Sequence, residues 1–171
     1  MREHMVLFIT TFVLTLLAIF ILIPVANRIG LVDKPPGRKQ PVGAIPLIGG
    51  ISVFIGVLIS ASLWLPDSRE FSLYLIASSI MVFIGALDDR HNLSVRSRLV
   101  GQILVASIMI FGADIYIKDL GNLFGYGNVH IGLFGIPFTY LAVLGAINAY
   151  NMIDGIDGLV GTMSIITLGF L

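Results

Sequence analysis

Four aspartates stand directly against long apolar segments of this sequence. Asp88 and Asp89 follow one uncharged run without a gap, and Asp154 and Asp157 follow another. An ionised carboxylate at the end of a membrane-spanning helix is costly unless water, a metal ion or a bound substrate faces it. Carboxylates bind Mg²⁺ or Mn²⁺, and these ions bridge phosphate oxygens. The two acidic pairs therefore indicate a metal site that handles a phosphorylated substrate.

The residues around the second pair fit the same chemistry. Asn148 and Asn151 lie three residues apart, as do Asp154 and Asp157, so the members of each pair share a face if the helix continues through them. Each of these two aspartates is followed by a glycine, which lets a diphosphate approach the backbone closely. The adjacent aspartates of the first pair point about 100° apart on a helix. One can bind metal while the other contacts a reacting phosphate.

Composition identifies the environment of these groups. The chain is 57% hydrophobic and only 12% charged, with a mean hydropathy of +0.99, which predicts an integral membrane protein. A net charge of zero argues against nucleic acid as a partner. The absence of cysteine excludes disulfides and thiolate metal sites within these residues. The histidines, His4, His91 and His130, lack metal-ligand spacing.

The elements that must position the aspartates are apolar helices. Uncharged runs long enough for spanning helices predict an all-α polytopic bundle with five complete spans and a partial sixth. The predicted spans are 5–26, 44–65, 71–87, 99–113 and 131–153, and the partial span is 159–171. The first run is longer than the apolar core of a cleaved signal peptide, which favours an anchored helix. Glycines in the second span, Gly49, Gly50 and Gly56, permit close approach of another helix.

One connecting segment is ambiguous. Residues 114–130 are rich in glycine and partly alternate polar with apolar side chains, which is compatible with a small hairpin or an interfacial loop.

The distribution of basic residues predicts an orientation. Alternating spans place seven basic residues on one side and three on the other, and the positive-inside rule makes the first side cytoplasmic, with the N-terminus outside. The cytoplasmic set is Arg28, Lys34, Arg38, Lys39, Arg90, Arg96 and Arg98, and the outer set is Arg2, Arg69 and Lys118. Asp33 and all four boundary aspartates fall on the cytoplasmic side, beside the basic residues.

Other interpretations of these residues stay open at this level. An acidic pair at a helix end is often only a solvated terminus, and Asp-Gly is an ordinary turn former. A transporter or proton-relay subunit also carries intramembrane acids, although more often in mid-span. A structural membrane subunit would not need two acidic pairs on one face.

Four segments of the sequence resemble a known enzyme family in their order and spacing. The chain is similar to the polyprenyl-phosphate N-acetylhexosamine-1-phosphate transferases (glycosyltransferase 4, MraY-like superfamily). It is most similar to their WecA-type branch, which transfers GlcNAc-1-phosphate to undecaprenyl phosphate. The segments are Gly30-Leu-Val-Asp-Lys-Pro-Pro-Gly-Arg-Lys39, Ile45-Pro-Leu-Ile-Gly-Gly50, Phe83-Ile-Gly-Ala-Leu-Asp-Asp-Arg90 and Ala146-Ile-Asn-Ala-Tyr-Asn-Met-Ile-Asp-Gly-Ile-Asp-Gly-Leu159.

The resemblance implies a reaction, a cofactor and a location. Such enzymes transfer a sugar 1-phosphate from a UDP-N-acetylhexosamine to undecaprenyl phosphate, release UMP, and require Mg²⁺ or Mn²⁺. The product starts a lipid-linked cell-envelope polysaccharide such as O-antigen. The implied location is the bacterial cytoplasmic membrane, with the active site facing the cytoplasm. Oligomeric state is open, with a homodimer among the options, and the alternatives are a phospho-MurNAc-pentapeptide transferase, an inactive truncated fragment or a transport subunit.

The resemblance also implies a role for each candidate residue. Catalysis is expected of Asp88, Asp89, Asp154 and Asp157, and metal binding of the first two. The expected substrate-binding residues are Asn148, Asn151, Lys34, Arg38 and Lys39.

Two features depart from the family pattern. Pro41 stands where relatives commonly carry a histidine, so a role for that histidine is not expected here. Family members are about twice as long, and their later cytoplasmic segments supply another metal-binding aspartate and a histidine-rich loop. The resemblance therefore implies a further metal ligand beyond Leu171. We expect residues 1–171 to form a single integral membrane domain that is the N-terminal portion of a longer transferase.

Overall fold

The computed structural model describes residues 2–33, 45–123, 125–153 and 158–170. They form two compact units, Met1–Ala113 and Asp114–Leu171. Both units are predominantly α-helical, which confirms the all-α part of the predicted fold class. The expectation of one domain over residues 1–171 stays a prediction.

The first unit begins with two packed helices, α1 (Arg2–Ile29) and α2 (Gly49–Trp64). They pack closely because α2 carries small residues on the face toward α1. Ser52 and Ser60 are fully buried, and a Cβ atom at Gly56 would lie 2.9 Å from the carbonyl oxygen of Thr11. Small residues at helix interfaces are typical of membrane helix packing. Of the three glycines expected to permit close approach, Gly56 does so, whereas Gly49 and Gly50 have open space around them.

A short β pairing connects these helices. Strand β1 (Val32–Asp33) runs antiparallel to β2 (Ile45–Pro46), with Val32 opposite Pro46. The amide of Leu47 donates a 3.1 Å hydrogen bond to the carbonyl of Leu31. Leu31, Ala26 and Ile48 form a buried apolar cluster beneath this pairing, which connects the end of α1 to the start of α2.

The rest of the first unit is an antiparallel helix pair. Helix α3 (Arg69–His91) and helix α4 (Val95–Ser107), which continues as a π-helical turn (Ile108–Gly112), are joined by a three-residue turn. Ser68 caps the start of α3 by accepting a hydrogen bond from the amide of Phe71. The prediction that the third span ends at Leu87 was wrong by one turn, because the helix runs on through both aspartates to His91.

The second unit opens with the ambiguous segment, in which hairpin pairing is observed. The amide of Leu120 donates to the carbonyl of Val129 (2.9 Å), and the amide of Val129 donates to the carbonyl of Gly121 (3.0 Å). Asp119 and His130 form an antiparallel bridge beside these bonds. The hairpin alternative is therefore confirmed for this segment.

A 3₁₀ turn (Gly132–Phe134), α5 (Gly135–Ile153) and α6 (Leu159–Gly169) complete the second unit. Thr139 ties the hairpin to α5. Its hydroxyl accepts a 2.9 Å hydrogen bond from the amide of Ile117 and donates a 2.7 Å bond to the carbonyl of Gly135. Gly135 lies so close to the backbone of Ile117 that a Cβ atom would collide with its carbonyl oxygen.

The partial sixth span was predicted to run from Leu159 to Leu171. Helix α6 begins at Leu159 as predicted, but it ends at Gly169, and Phe170 caps it. The amide of Phe170 donates a 3.3 Å hydrogen bond to the carbonyl of Thr167, three residues back, so the last turn is tighter than an α-helix. Leu171 itself lies outside the described residues.

Within the described residues, four helical segments are long and apolar enough to cross a membrane: His4–Ile29, Arg69–His91, Val95–Gly112 and Gly132–Ile153. Two apolar helices, Gly49–Trp64 and Leu159–Gly169, are shorter. The buried apolar residues are largely alanines, whereas large side chains such as Phe8 and Phe20 point outward. Small residues inside and large apolar residues outside suit a lipid environment. The chain is a multi-pass membrane protein.

Candidate active site

The acidic pair occupies the last turn of α3. Asp88 is partly buried and Asp89 is exposed. Asn92 ends the helix in the left-handed conformation (φ 49°, ψ 67°), which asparagine tolerates better than most residues. The amide of Asn92 donates a 2.7 Å hydrogen bond to the carbonyl of Asp88. The backbone beneath the acidic pair is therefore held by a defined helix cap.

The side chain of Asp88 is held from the neighbouring helix. Nη1 of Arg98 donates a hydrogen bond to Oδ2 of Asp88 at 3.1 Å. The side chains of Arg98 and Asp88 are 31% and 24% exposed, so the ion pair is only partly shielded from solvent. Ser94 caps the start of α4 by accepting a 3.2 Å hydrogen bond from the amide of Ser97, and this cap sets where α4 starts beneath Arg98.

Asp88 and Arg98 both lie at the end of their helix where the helix dipole is unfavourable to their charge. A helix C-terminus carries partial negative charge and an N-terminus carries partial positive charge. Asp88 lies in the last turn of α3, and Arg98 is the fourth residue of α4. Each charge therefore interacts unfavourably with the dipole of its own helix. Attraction between the two charges offsets these two unfavourable interactions.

The donor set at the end of α3 suits a hard divalent cation. Mg²⁺ is typically bound by one or two carboxylates together with water and substrate phosphates, not by a closed cage of protein ligands. Asp88 and Asp89 supply two carboxylates of this kind at an exposed helix end. Across the described ranges, no group of three or more His, Cys, Asp or Glu side chains is placed to hold a metal ion. The two carboxylates at the end of α3 therefore suit such a cation.

The second unit carries the predicted asparagine pair near the end of α5. The Nδ2 atom of Asn148 donates a 2.8 Å hydrogen bond to the carbonyl of Leu144, one turn earlier in the helix. Asn148 is partly buried, and Asn151 is exposed one turn further along. Because α5 continues to Ile153, the two asparagines share a helix face as predicted.

Five predicted site residues lie outside the described residues. They are Lys34, Arg38 and Lys39 of the basic loop, and Asp154 and Asp157 of the second acidic pair. The further metal ligand expected beyond Leu171 also lies outside them, because the sequence ends at that residue. All of these roles stay predictions, as does the metal-binding role of Asp88 and Asp89, which the structure describes at the end of α3.

The contact of Arg98 with the acidic pair is the feature of the candidate site that reasoning from the sequence missed. From the sequence, Arg98 is only one of seven predicted cytoplasmic basic residues, with no partner assigned. The available signal was a basic residue ten positions after Asp88, beyond a short polar turn that begins an antiparallel helix. A contact can be predicted from that spacing only when the end of α3 and the start of α4 are both known.

Comparison with known proteins identifies the family to which this arrangement belongs. The sequence model described as glycosyl transferase family 4 matches residues 71–171, more than half of the chain. The chain belongs to glycosyl transferase family 4. The matched part of this family 4 chain contains the acidic pair, Arg98 and both asparagines. Family membership confirms the resemblance on which the expected chemistry depends.

Curated relatives of this family 4 chain share almost half of their aligned residues with it. An undecaprenyl-phosphate alpha-N-acetylglucosaminyl 1-phosphate transferase of Yersinia pestis is 45% identical over 158 residues, covering 92% of this chain and 43% of the relative. Proteins of the same name from Salmonella typhi (45% identity) and Escherichia coli O157:H7 (43%) each cover 93% of this chain and 43% of the relative. The chain thus spans less than half the length of these relatives.

Proposed function

We propose that this protein transfers N-acetylglucosamine 1-phosphate from UDP-N-acetylglucosamine to undecaprenyl phosphate and releases UMP. The observation that carries the proposal is the acidic pair at the end of α3, with its Arg98 partner, in a chain belonging to glycosyl transferase family 4. The relatives' names supply the sugar and the lipid acceptor. The product would start a lipid-linked cell-envelope polysaccharide such as O-antigen.

The reaction exchanges one phosphorus–oxygen bond for another. An oxygen of the lipid phosphate forms a bond to the β-phosphorus of the UDP-sugar, and the bond from that phosphorus to the bridging oxygen breaks. UMP leaves with the bridging oxygen. A phosphate monoester is largely a dianion near neutral pH, because its second pKa is about 6, so the attack needs no general base. We therefore assign no proton transfer to any aspartate.

The principal obstacle is repulsion between two anions, and the chain's residues are suited to relieve it. Asp88 and Asp89 would hold Mg²⁺ or Mn²⁺, which would supply positive charge to offset the charge of the diphosphate. Basic side chains neutralise the remaining phosphate charge. We assign that role to Lys34, Arg38 and Lys39.

We assign recognition of the nucleotide sugar to the residues at the end of α5 and just after it. Asn148 and Asn151 can offer amide donors and acceptors from one face of α5. We propose that they bind the UDP-sugar together with Asp154 and Asp157, whose carboxylates contribute to catalysis in the same reaction. The α5 helix supplies the rigid support that such positioning requires.

Release of UMP is the measurement that tests this function. Membranes containing the protein expressed from its whole reading frame should release UMP from UDP-N-acetylglucosamine only when both undecaprenyl phosphate and Mg²⁺ are present. UDP-MurNAc-pentapeptide in the same assay should give no lipid-linked product. Transfer of the pentapeptide substrate, or UMP release that continues without the lipid, would contradict the proposal.

We also propose the membrane arrangement in which this reaction takes place. Five complete spans and a partial sixth would put the N-terminus outside and the acidic pair at the cytoplasmic face of the bacterial inner membrane. Charge asymmetry between the two sets of loops supports this orientation. Whether the protein forms a homodimer stays a prediction, for which cross-linking in native membranes is the appropriate test.

Because residues 1–171 contain no cysteine, single-cysteine variants can test the orientation directly. An impermeant maleimide applied to intact spheroplasts should label Tyr126→Cys, a 98% exposed position in the hairpin. It should label Arg96→Cys, in the first turn of α4, only after permeabilisation. The reverse labelling pattern would contradict the orientation.

A further inference from the structure

The contact between Arg98 and Asp88 joins the ends of two antiparallel helices. It comes after a turn of only three residues, Asn92 to Ser94. Both ends of that turn are capped, by the left-handed Asn92 and by the Ser94 hydroxyl. The guanidinium group is therefore presented to the carboxylate by two defined helix ends.

Close packing along the helices keeps this presentation in register. A Cβ atom at Gly101 would collide with the side chain of Ile84, one turn away from the ion pair. Further along, a Cβ atom at Gly112 would lie 3.2 Å from Leu73. The side chains of Ile84 and Leu73 thus lie close against these glycines, and sliding or rotation of α4 against α3 would have to displace them, so the packing resists separation of Arg98 from Asp88.

Helix stability alone does not account for the placement of these two charges. An exposed ion pair typically contributes about 0–1 kcal/mol. Acidic residues stabilise helix starts and basic residues stabilise helix ends, which is the reverse of what is found here. A sequence under pressure for stability alone would gain by exchanging the two charges. In the observed placement, the carboxylate of Asp88 lies at the end of α3, and Arg98 binds its Oδ2 atom.

We propose that Arg98 is a positioning residue for phosphosugar transfer, an inference that rests on the proposed function. By binding Oδ2 of Asp88, Arg98 orients that carboxylate and stabilises its negative charge at the end of α3. Arg98 acts through Asp88 and need not touch the substrate.

Three variants separate this role from a general effect of charge. Arg98→Gln removes the cation, Arg98→Lys keeps a cation without the planar fork, and Arg96→Gln removes a neighbouring exposed cation in the same turn of α4. Each is made in the protein expressed from its whole reading frame. Steady-state kinetics give kcat and the KM for UDP-N-acetylglucosamine, and electron paramagnetic resonance of Mn²⁺ reports metal binding without substrates.

The expected effect is on turnover. Arg98→Gln should lower kcat by about 10- to 100-fold at saturating metal, the usual cost of losing a group that orients a metal-binding side chain. Its KM and its Mn²⁺ dissociation constant should not rise, because the variant removes a competing cation and keeps both carboxylates. Arg98→Lys should retain kcat within about fivefold of wild type, since it preserves the charge. Arg96→Gln should stay within about twofold.

Several outcomes would overturn the inference. It fails if kcat is unchanged in Arg98→Gln, if Arg96→Gln is equally impaired, or if lysine restores nothing. It also fails if Mn²⁺ binding weakens while kcat at saturating Mn²⁺ stays normal, because Arg98 would then serve metal retention. Failure of the proposed function is recognised separately, since wild-type protein would then release no UMP in a lipid- and metal-dependent manner.

Discussion

The amide of Asn92 donates a 2.7 Å hydrogen bond to the carbonyl of Asp88, and this bond closes the last turn of α3 under the acidic pair. Asn92 must adopt a left-handed conformation to make it, with φ at 49°. The position of both carboxylates thus depends on a residue that carries no charge. Changes at Asn92 should alter the site without removing any of its chemical groups.

Substituting Asn92 tests this dependence. Asn92→Val should destabilise the turn by about 1–2 kcal/mol, because a β-branched side chain is strained at positive φ. Transfer activity should fall along with amide protection at the end of α3, measured by hydrogen–deuterium exchange. Asn92→Gly, which adopts this conformation without strain, is the matched control and should behave like wild type. Equal behaviour of the two variants would mean that the cap does not support the site.

Removing either charge of the acidic pair should stop catalysis. Asp88→Asn and Asp89→Asn keep the size of the side chain but take away a negative charge that a divalent cation requires. We expect loss of nearly all UMP release, with unchanged membrane insertion as judged by detergent extraction and blotting. Asp67→Asn, in the exposed connection before α3, is the control and should retain activity. Near-normal turnover of either site variant would defeat the metal assignment.

The α1–α2 interface should be sensitive to a single methyl group. Gly56→Ala would place a Cβ atom against Thr15 and 2.9 Å from the carbonyl of Thr11, and backbone cannot yield as a flexible side-chain tip can. Overpacking of this kind costs about 1–3 kcal/mol. A lower unfolding temperature should be visible in detergent through the fluorescence of Trp64 on the same helix. Gly49→Ala meets open space and serves as the control. Matching unfolding temperatures would show that the interface adapts freely.

In the second unit, Thr139 should hold the hairpin against α5. Thr139→Val keeps the shape of the side chain but removes the acceptor for the partly buried amide of Ile117, and leaving such a donor unsatisfied costs about 1 kcal/mol. Faster hydrogen exchange in peptides covering residues 114–120 is the expected readout. Thr162→Val also removes a hydroxyl bonded one turn back, but at an exposed position, and should leave exchange in the hairpin unchanged. If the two variants exchange alike, the tie through Thr139 contributes little.

Helical class, membrane character and the chemical character of the site could be read from the sequence. Long uncharged runs have few alternatives to spanning helices, because lipid forces every backbone polar group to bond internally. Carboxylates at the ends of such runs are costly enough to suggest a ligand. The ends of the helices were predicted less accurately than their existence. The uncharged run stops at Leu87, but the helix stops at His91, where a residue able to adopt left-handed geometry ends it.

The sequence alone determined which residues are available for chemistry: Asp88, Asp89, Asn148 and Asn151 at the ends of apolar helices. Only the tertiary structure decided that Arg98 is the partner of Asp88. That contact depends on where α3 ends, on the length of the turn and on the rotation of α4. A shift of one residue in the turn would rotate α4 by about 100° and carry the guanidinium away. Composition and periodicity do not determine such a rotation, because it follows from helix caps and from close packing at residues such as Gly101.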